Sequence, residues 1–237
     1  MPNGLAPAGL PRFTARGMWR GCVNIAPVAV YVVPFGIAFG VAATAKGVPP
    51  EVGIFMSAAM MAGASQFAVL DLWHAPLPLG AMALTVLAVN ARHILFGAAL
   101  SPWLLQIPWA QRLAATAILS DSNFAQATNA RDRGEADAGV LCGAGLLTCL
   151  IWTVSTAIGA LGGALLGGLS QFGFDAVMVT YLAATVAAQW RSRDGILLPV
   201  AVTAAIVSVI GSHFLPAGWH IIAGALAGGA IGAWRHG

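Results

Sequence analysis

Runs of about twenty apolar residues recur along this chain from residue 21 to the C-terminus, and that feature removes most folds from consideration. In a soluble domain such runs would be broken by the polar coat that water demands. Here 59% of the 237 residues are hydrophobic and 8% are charged, against roughly 25% charged in ordinary soluble domains. The strands of a membrane barrel would alternate apolar and polar positions, whereas these runs are continuous. The chain therefore reads as all-α, a polytopic helical membrane protein whose solvent is the lipid bilayer. A net charge of +3 is too small to point to nucleic acid. Cys22, Cys142 and Cys149 fall in apolar stretches without Cys-x-x-Cys spacing, and the histidines are scattered, so neither a disulfide framework nor a metal site is indicated. No cofactor motif is present. The stretch "GVAATAKG" lacks the second glycine and the Ser/Thr of a phosphate-binding loop.

Windows of about 20 residues predict about eight spans, near 21–45, 52–73, 79–100, 111–128, 138–160, 174–190, 195–212 and 217–234. The first is about 25 residues long, beyond the roughly 7–15 of a signal-peptide core. It is expected to stay attached, with residues 1–20 as a cytoplasmic segment and 21–237 as the transmembrane domain. The arginines orient the chain. With the N-terminus inside, Arg12, Arg16, Arg20, Arg131, Arg133, Arg191, Arg193 and Arg235 all lie inside, and Lys46 and Arg112 lie outside. Both termini are then cytoplasmic. A seven-span version without 111–128 stays open. Glycines four apart (Gly36 and Gly40; Gly159, Gly163 and Gly167; Gly224, Gly228 and Gly232) form grooves for close helix packing. "FGIAFG" and "AIGALGG" suggest two repeats, 20–128 and 138–234, either parallel or inverted.

Against this apolar background "VNARHILFG" (89–97) stands out. Eight strongly apolar residues between Leu79 and Phe96 contribute roughly −0.3 to −0.6 kcal/mol each to insertion. Arg92 alone opposes them with about +2.5 to +3.5 kcal/mol, so the polar face must look inward. Arg92 is predicted roughly 13 Å from one membrane edge and Asp121 roughly 15 Å, on adjacent antiparallel spans, so the two should pair or share a water. Pro34 and Gly36, and the run Gly63, Ala64, Ser65 and Gln66, fall roughly 15–20 Å deep. Proline kinks a helix, and the second run is a place for span two to unwind. Broken helices near the midplane are how many secondary transporters hold small charged solutes. For an amino acid, half-helix N-termini suit the carboxylate, while Asp121, Ser65 or backbone carbonyls suit the ammonium. The candidate binding residues are Pro34, Gly36, Gly63, Ala64, Ser65, Gln66, Asn90 and Arg92. His93 and Asp121, with Arg92, are candidates for proton coupling or an ion pair.

The same residues carry a family resemblance. "PFGIAFGVAATAKG", "MSAAMMAGASQFAVL", "VNARHILFGAAL" and "ILSDSNFA" resemble the successive signatures of the AzlC-type branched-chain amino acid exporters. Asn90, Arg92, His93 and Gly97 match one block of that family, and Gly63 to Phe67 another. The resemblance implies a large permease subunit, a separate small AzlD-type membrane partner, and export of leucine, isoleucine, valine or analogues; with no nucleotide motif on the chain, coupling to the proton gradient is the expected energy source. The family commonly has a second acidic residue where this chain has Ser122. Two other classes compete: an intramembrane hydrolase with Ser65 as nucleophile and His93 as base, and a passive pore or structural subunit.

Overall fold

In the first helix, α1 (Ala15–Ala45), the Thr14 side chain accepts a hydrogen bond from the Gly17 N–H and so caps the start. Pro27 and Pro34 lie inside it, yet α1 runs unbroken. A computed structural model describes residues 13–166, 197–215 and 219–236. The other helices are α2 (Pro50–Ala59), α3 (Gly63–Leu70), α4 (Leu79–Asn90), α5 (Arg92–Leu104), α6 (Trp109–Ala117), α7 (Asp121–Asp132), α8 (Gly139–Leu166), α9 (Leu197–Phe214) and α10 (Trp219–His236).

The backbone of the fold is the pair α1–α8. Low-numbered residues of one meet low-numbered residues of the other: Gly17 lies on Asp137, Gly36 on Ser155 and Gly40 on Ala160. The two helices are therefore parallel. A Cβ at Gly40 would sit 2.5 Å from the Ala160 nitrogen, and one at Gly36 2.5 Å from the Ser155 Cβ, so glycine is what permits this approach. At the base of the pair Asp137 ties both helices. It accepts from the Thr14 N–H at 3.1 Å, the Thr14 hydroxyl and the Gly139 N–H at 3.0 Å.

Three described helical stretches are long and apolar enough to cross a membrane: 15–45, 79–104 and 139–163. The second comprises α4 and α5, which only Ala91 separates. The predicted spans 52–73 and 111–128 do not cross, and this corrects the eight-span reading. At residues 60–62 the chain turns back, so that α3 ends beside the end of α1. The Lys46 ammonium lies 3.3 Å from the Asp71 carboxylate, and Val48, Ala43 and Leu70 share one apolar cluster. At residues 118–120 it turns back again, in the opposite sense. Leu119 at that turn, Ala115 of α6 and Ala127 of α7 pack with the ends of α5 (Leu100, Leu104) and the start of α8 (Leu141). The Arg131 guanidinium donates to the Ala99 carbonyl at 2.8 Å. Arms of 10, 8, 9 and 12 residues measure about 12–18 Å, half of a hydrocarbon core of about 30 Å.

The molecule thus has an N face, where α1 and α8 begin, and a far face. α2–α3 dips in from the far face and α6–α7 from the N face, with α4–α5 crossing between them. This reverses the predicted direction of 79–100 and moves Arg112, in the first turn of α6, to the N face with Arg16, Arg20, Arg131 and Arg133. Arg12, Arg191, Arg193 and the predicted span 174–190 lie outside the described residues, as does part of the proposed repeat 138–234. α9 and α10 form an antiparallel pair through Gly224 and Gly228, which face Ala204.

Candidate functional site

The three interruptions in these helices lie side by side. The first is fixed by α8. Met60 is extended (φ −138°, ψ 114°) and Ala62 precedes the first turn of α3. Gly63 lies against the Trp152 ring, where a Cβ would come within 2.9 Å. The Trp152 indole N–H donates to the Gln66 side-chain oxygen at 3.0 Å. The Gln66 amide reaches Ser57 at 3.5 Å, and Ser57 shares a 2.8 Å hydrogen bond with Thr156. Unwinding was expected over Gly63 to Gln66; it falls at Met60 to Ala62 instead, and "GASQ" opens α3. The reason is local. The Ser65 hydroxyl donates to the Ala62 carbonyl at 2.8 Å, closing the turn that starts the helix.

The second interruption is a tight turn between α4 and α5. The Ala91 N–H reaches the Ala88 carbonyl at 3.4 Å and the Ile94 N–H reaches that of Ala91 at 3.1 Å, bonds that span three residues where an α-helix spans four. The Asn90 amide donates to the Ser65 hydroxyl at 3.3 Å, tying this turn to the first. The His93 Nδ1 lies 3.1 Å from the Asn90 carbonyl oxygen, and its ring meets Phe96 edge-on.

The third is the tip of α6–α7. Asn123 holds it from both sides: its oxygen accepts from the Ser120 N–H at 2.6 Å and its amide donates to the Ile118 carbonyl at 2.8 Å. Asp121 is the first residue of α7, where the helix dipole favours a negative charge. Its carboxylate lies 3.1 Å from the Arg92 guanidinium. Arg92 sits about 20 Å along from Leu79 and about 18 Å before Leu104, halfway through the crossing helix.

Two separate contacts thus lie at mid-depth on either side of the α4–α5 turn, Ser65 with Asn90 and Arg92 with Asp121, with Gly63, Ala64 and Gln66 on the first turn of α3 beside the former. Pro34 and Gly36 make none of these contacts. Gly36 is buried against α8, and Pro34 is exposed on the described surface of α1. Among the described residues, the buried Asn90 Oδ1, Arg92 Nε and Thr85 Oγ1 have no hydrogen-bond partner in the protein. Such atoms are rare in a folded interior; those of Asn90 and Arg92 flank the α4–α5 turn and leave polar capacity there that the described residues do not use, while Thr85 of α4 and the Trp103 indole nitrogen of α5 lie further along the crossing segment. Beside it, an open groove of about 460 Å³ runs between α2, α3 and α4 from Trp73 and Leu79 at the far face down to Met60 and Ser65, with Phe55 and Leu79 exposed along its rim. Its walls are almost wholly apolar, with Ser65 and Gln66 at the deep end.

Trp152, Ser57, Thr156, Asn123 and Thr85 did not stand out in the sequence. Only Asn123 carries a local signal, as the third partner of a Ser-x-x-Asn start. The Ser65 hydroxyl is engaged by Ala62 and Asn90, and the His93 Nδ1 by the Asn90 carbonyl. The nucleophile–base contact of a hydrolase is not made.

A family model described as AzlC protein matches residues 27–166. The inner membrane protein YgaZ of Escherichia coli (strain K12) is 34% identical over 161 residues, 67% of this chain and 64% of that protein, so the chain spans somewhat less than two thirds of the relative's length. No solved structure matches. With a family match that takes in both hairpins, the crossing helix between them and α8, the chain belongs to the AzlC family.

Proposed function

We propose that this chain is the large subunit of a secondary transporter that exports branched-chain or similar small hydrophobic amino acids across the cytoplasmic membrane. The observation that carries this reading is the placement of two half-membrane hairpins against one turn of the crossing helix, Ser65 on Asn90 and Asp121 on Arg92, beside an apolar groove of about 460 Å³. An amino acid offers a carboxylate, an ammonium and a side chain. Arg92 and the uncapped start of α3 suit the first, Asp121 and the Asn90 oxygen suit the second, and the groove suits the third. Arg16, Arg20, Arg112, Arg131 and Arg133 on the N face, against Lys46 on the far face, support a cytoplasmic N-terminus; Arg235 extends this to the C-terminus. The proton gradient is the proposed energy source, with His93 and Asp121 as carriers. Ser122 leaves Asp121 as the single carboxylate at that tip. A small AzlD-type membrane protein is the proposed partner.

The test is efflux of labelled leucine, isoleucine and valine from proteoliposomes, with and without a small partner subunit and an imposed pH gradient. The reading predicts saturable efflux that the gradient accelerates and that Arg92→Ala abolishes in folded protein. Linear, gradient-independent leakage would point to a pore, and full efflux in Arg92→Ala would remove the binding site from this layer.

A further inference from the structure

The outer face of α1 carries polar groups that nothing in the described protein answers. Gly17, Gly21, Gly36 and Gly40 bury the side that meets α8. About 140° around the helix stand Asn24, Pro27, Tyr31 and Pro34, all exposed. Tyr31 is 73% exposed, and the neighbouring Val23 and Val30 are 53% and 66% exposed. Neither the Asn24 amide nor the Tyr31 hydroxyl has a hydrogen-bond partner among the described residues. Tyr31 lies about 17 Å past Arg20 and about 22 Å before Lys46, deep in the bilayer, whereas a tyrosine that faces lipid belongs at the membrane surface. Each proline also removes an N–H. The carbonyls of Val23 and Val30, four residues before Pro27 and Pro34, therefore lose their helical donors. Lipid supplies no replacement.

The spacing of these groups specifies what fits them. Asn24, Pro27, Tyr31 and Pro34 are three, four and three residues apart, the a/d rhythm of a left-handed helix pair. The freed carbonyls belong to Val23 and Val30, each directly before an a position. In a parallel pair, a side chain at a inserts into a hole formed by four residues of the facing helix. If the facing helix is a second α1, the hole for Asn24 is formed by Arg20, Val23, Asn24 and Pro27 of that copy, and the hole for Tyr31 by Pro27, Val30, Tyr31 and Pro34. Amide and phenol each donate and accept, so each meets its own kind and a free carbonyl at one depth. The face thus satisfies a copy of itself. Two copies related by an axis along the membrane normal hold α1 parallel and level, as a two-fold interface requires. A single asparagine at a is the best attested device for fixing a parallel two-stranded register. Charge does not oppose the pairing. Arg20, at the N-face end of the seam, lies 2.7 Å from Glu135 and 3.6 Å from Asp137, and Arg16 stands one turn further out, where salt screens it.

We infer that this face of α1 is a homodimer interface. Two copies of the chain pair through Asn24, Pro27, Tyr31 and Pro34, with the Asn24 amide and the Tyr31 hydroxyl of each copy donating to the Val23 and Val30 carbonyls of the other. None of the residues lining the groove between α2, α3 and α4 belongs to the seam, so each copy keeps a complete groove. The inference needs α1 to cross the membrane and makes no use of the transported solute.

The test is disulfide cross-linking in the full-length chain with its three native cysteines replaced, in proteoliposomes at low protein density. Asn24→Cys and Tyr31→Cys probe the seam. Ala26→Cys, exposed between them on another side of α1, and Leu95→Cys, exposed on α5, are the controls. Oxidation should give dimer from each seam variant in about tenfold higher yield than from either control. Equal yields at all four positions would mean random collision and overturn the inference. Seam thiols that stay monomeric would overturn it too, whether they react freely with a maleimide or are shielded by a different helix. A second measurement removes the polar groups without adding thiols. Dimer fraction is counted by two-colour single-molecule fluorescence as the protein is diluted in lipid. Asn24→Val combined with Tyr31→Phe should raise the dissociation constant by about tenfold, a loss of about 1.4 kcal/mol. An unchanged constant, or monomer at every density, would overturn the interface. Leucine efflux recorded in the same vesicles separates the two readings: flux without dimer sinks this inference and leaves transport standing, while dimer without flux does the reverse.

Discussion

Consider what happens when the contact between Arg92 and Asp121 is removed one partner at a time. At 3.1 Å the Coulomb attraction of two unit charges is about 5 kcal/mol at an effective dielectric of about 20 and about 1.3 kcal/mol in water. The pair sits at mid-depth, where its 35% and 44% exposure is not exposure to bulk water, so it lies between those limits; a coupling of about 1.5–5 kcal/mol is expected. Asp121→Asn alone leaves a guanidinium halfway through the crossing helix with its main partner gone, and Arg92→Gln alone leaves the carboxylate. Each should lower transition-state stabilisation for flux by about 2–3 kcal/mol, 30- to 150-fold. The double variant should cost less than the sum of the two by the coupling energy. The assay is initial-rate uptake into proteoliposomes at several leucine concentrations, with thermal unfolding in detergent recorded for all four proteins. Strict additivity in both readouts would refute the idea that these charges act as a unit. A coupling in stability with none in flux would make the pair structural only.

Three further outcomes follow from the same contacts. Trp152→Phe removes the donor to Gln66 and strands a buried amide oxygen, so thermal unfolding should show a loss of about 1–3 kcal/mol, and flux should fall because the α3 tip loosens. Gly40→Val forces a branched side chain into the backbone of α8, where even a Cβ would lie 2.5 Å from the Ala160 nitrogen. A loss of 1–3 kcal/mol or more is expected, read as lower yield of monodisperse protein, whereas an unchanged melting curve would deny the close α1–α8 contact. Ser65→Ala should leave measurable flux with weakened substrate affinity, since Ser65 is a hydrogen-bond partner of Asn90 and Ala62; total loss of activity in folded protein would favour a nucleophilic serine.

Much of the membrane character was legible because composition alone decides it. What hydropathy cannot distinguish is a span that crosses from one that enters and returns, since both are apolar. The mean character of residues 52–73 is the same in either case, and the return is revealed by contacts distant in sequence, Lys46 with Asp71 and Leu70 with Ala43 and Val48. Arg92 and Asp121 were paired from their depths on two antiparallel spans. They do meet, but by another route: Asp121 begins α7, which runs beside α5 in the same direction, as Arg131 on Ala99 attests. Counting depth along a chain found the right layer because half a membrane is the same distance from either face. Gly36 was placed in the site on depth alone, and depth carries no information on which side of a helix faces α8. The Gln66–Trp152–Ser57–Thr156 network was invisible because its members lie up to 99 residues apart and each is an ordinary residue for a membrane helix.

The account depends on α2–α3 and α6–α7 each returning to the face they left, and sidedness of labelling tests this most directly. With the native cysteines replaced, Lys46→Cys, His74→Cys, Gln106→Cys and Arg133→Cys are probed one at a time with an impermeant maleimide in intact cells and in inverted vesicles. The hairpins predict that positions 46 and 74 label from one face and positions 106 and 133 from the other. Labelling of 46 and 74 from opposite faces would mean that residues 50–70 cross the membrane, and the meeting of two hairpin tips around Arg92 could not exist.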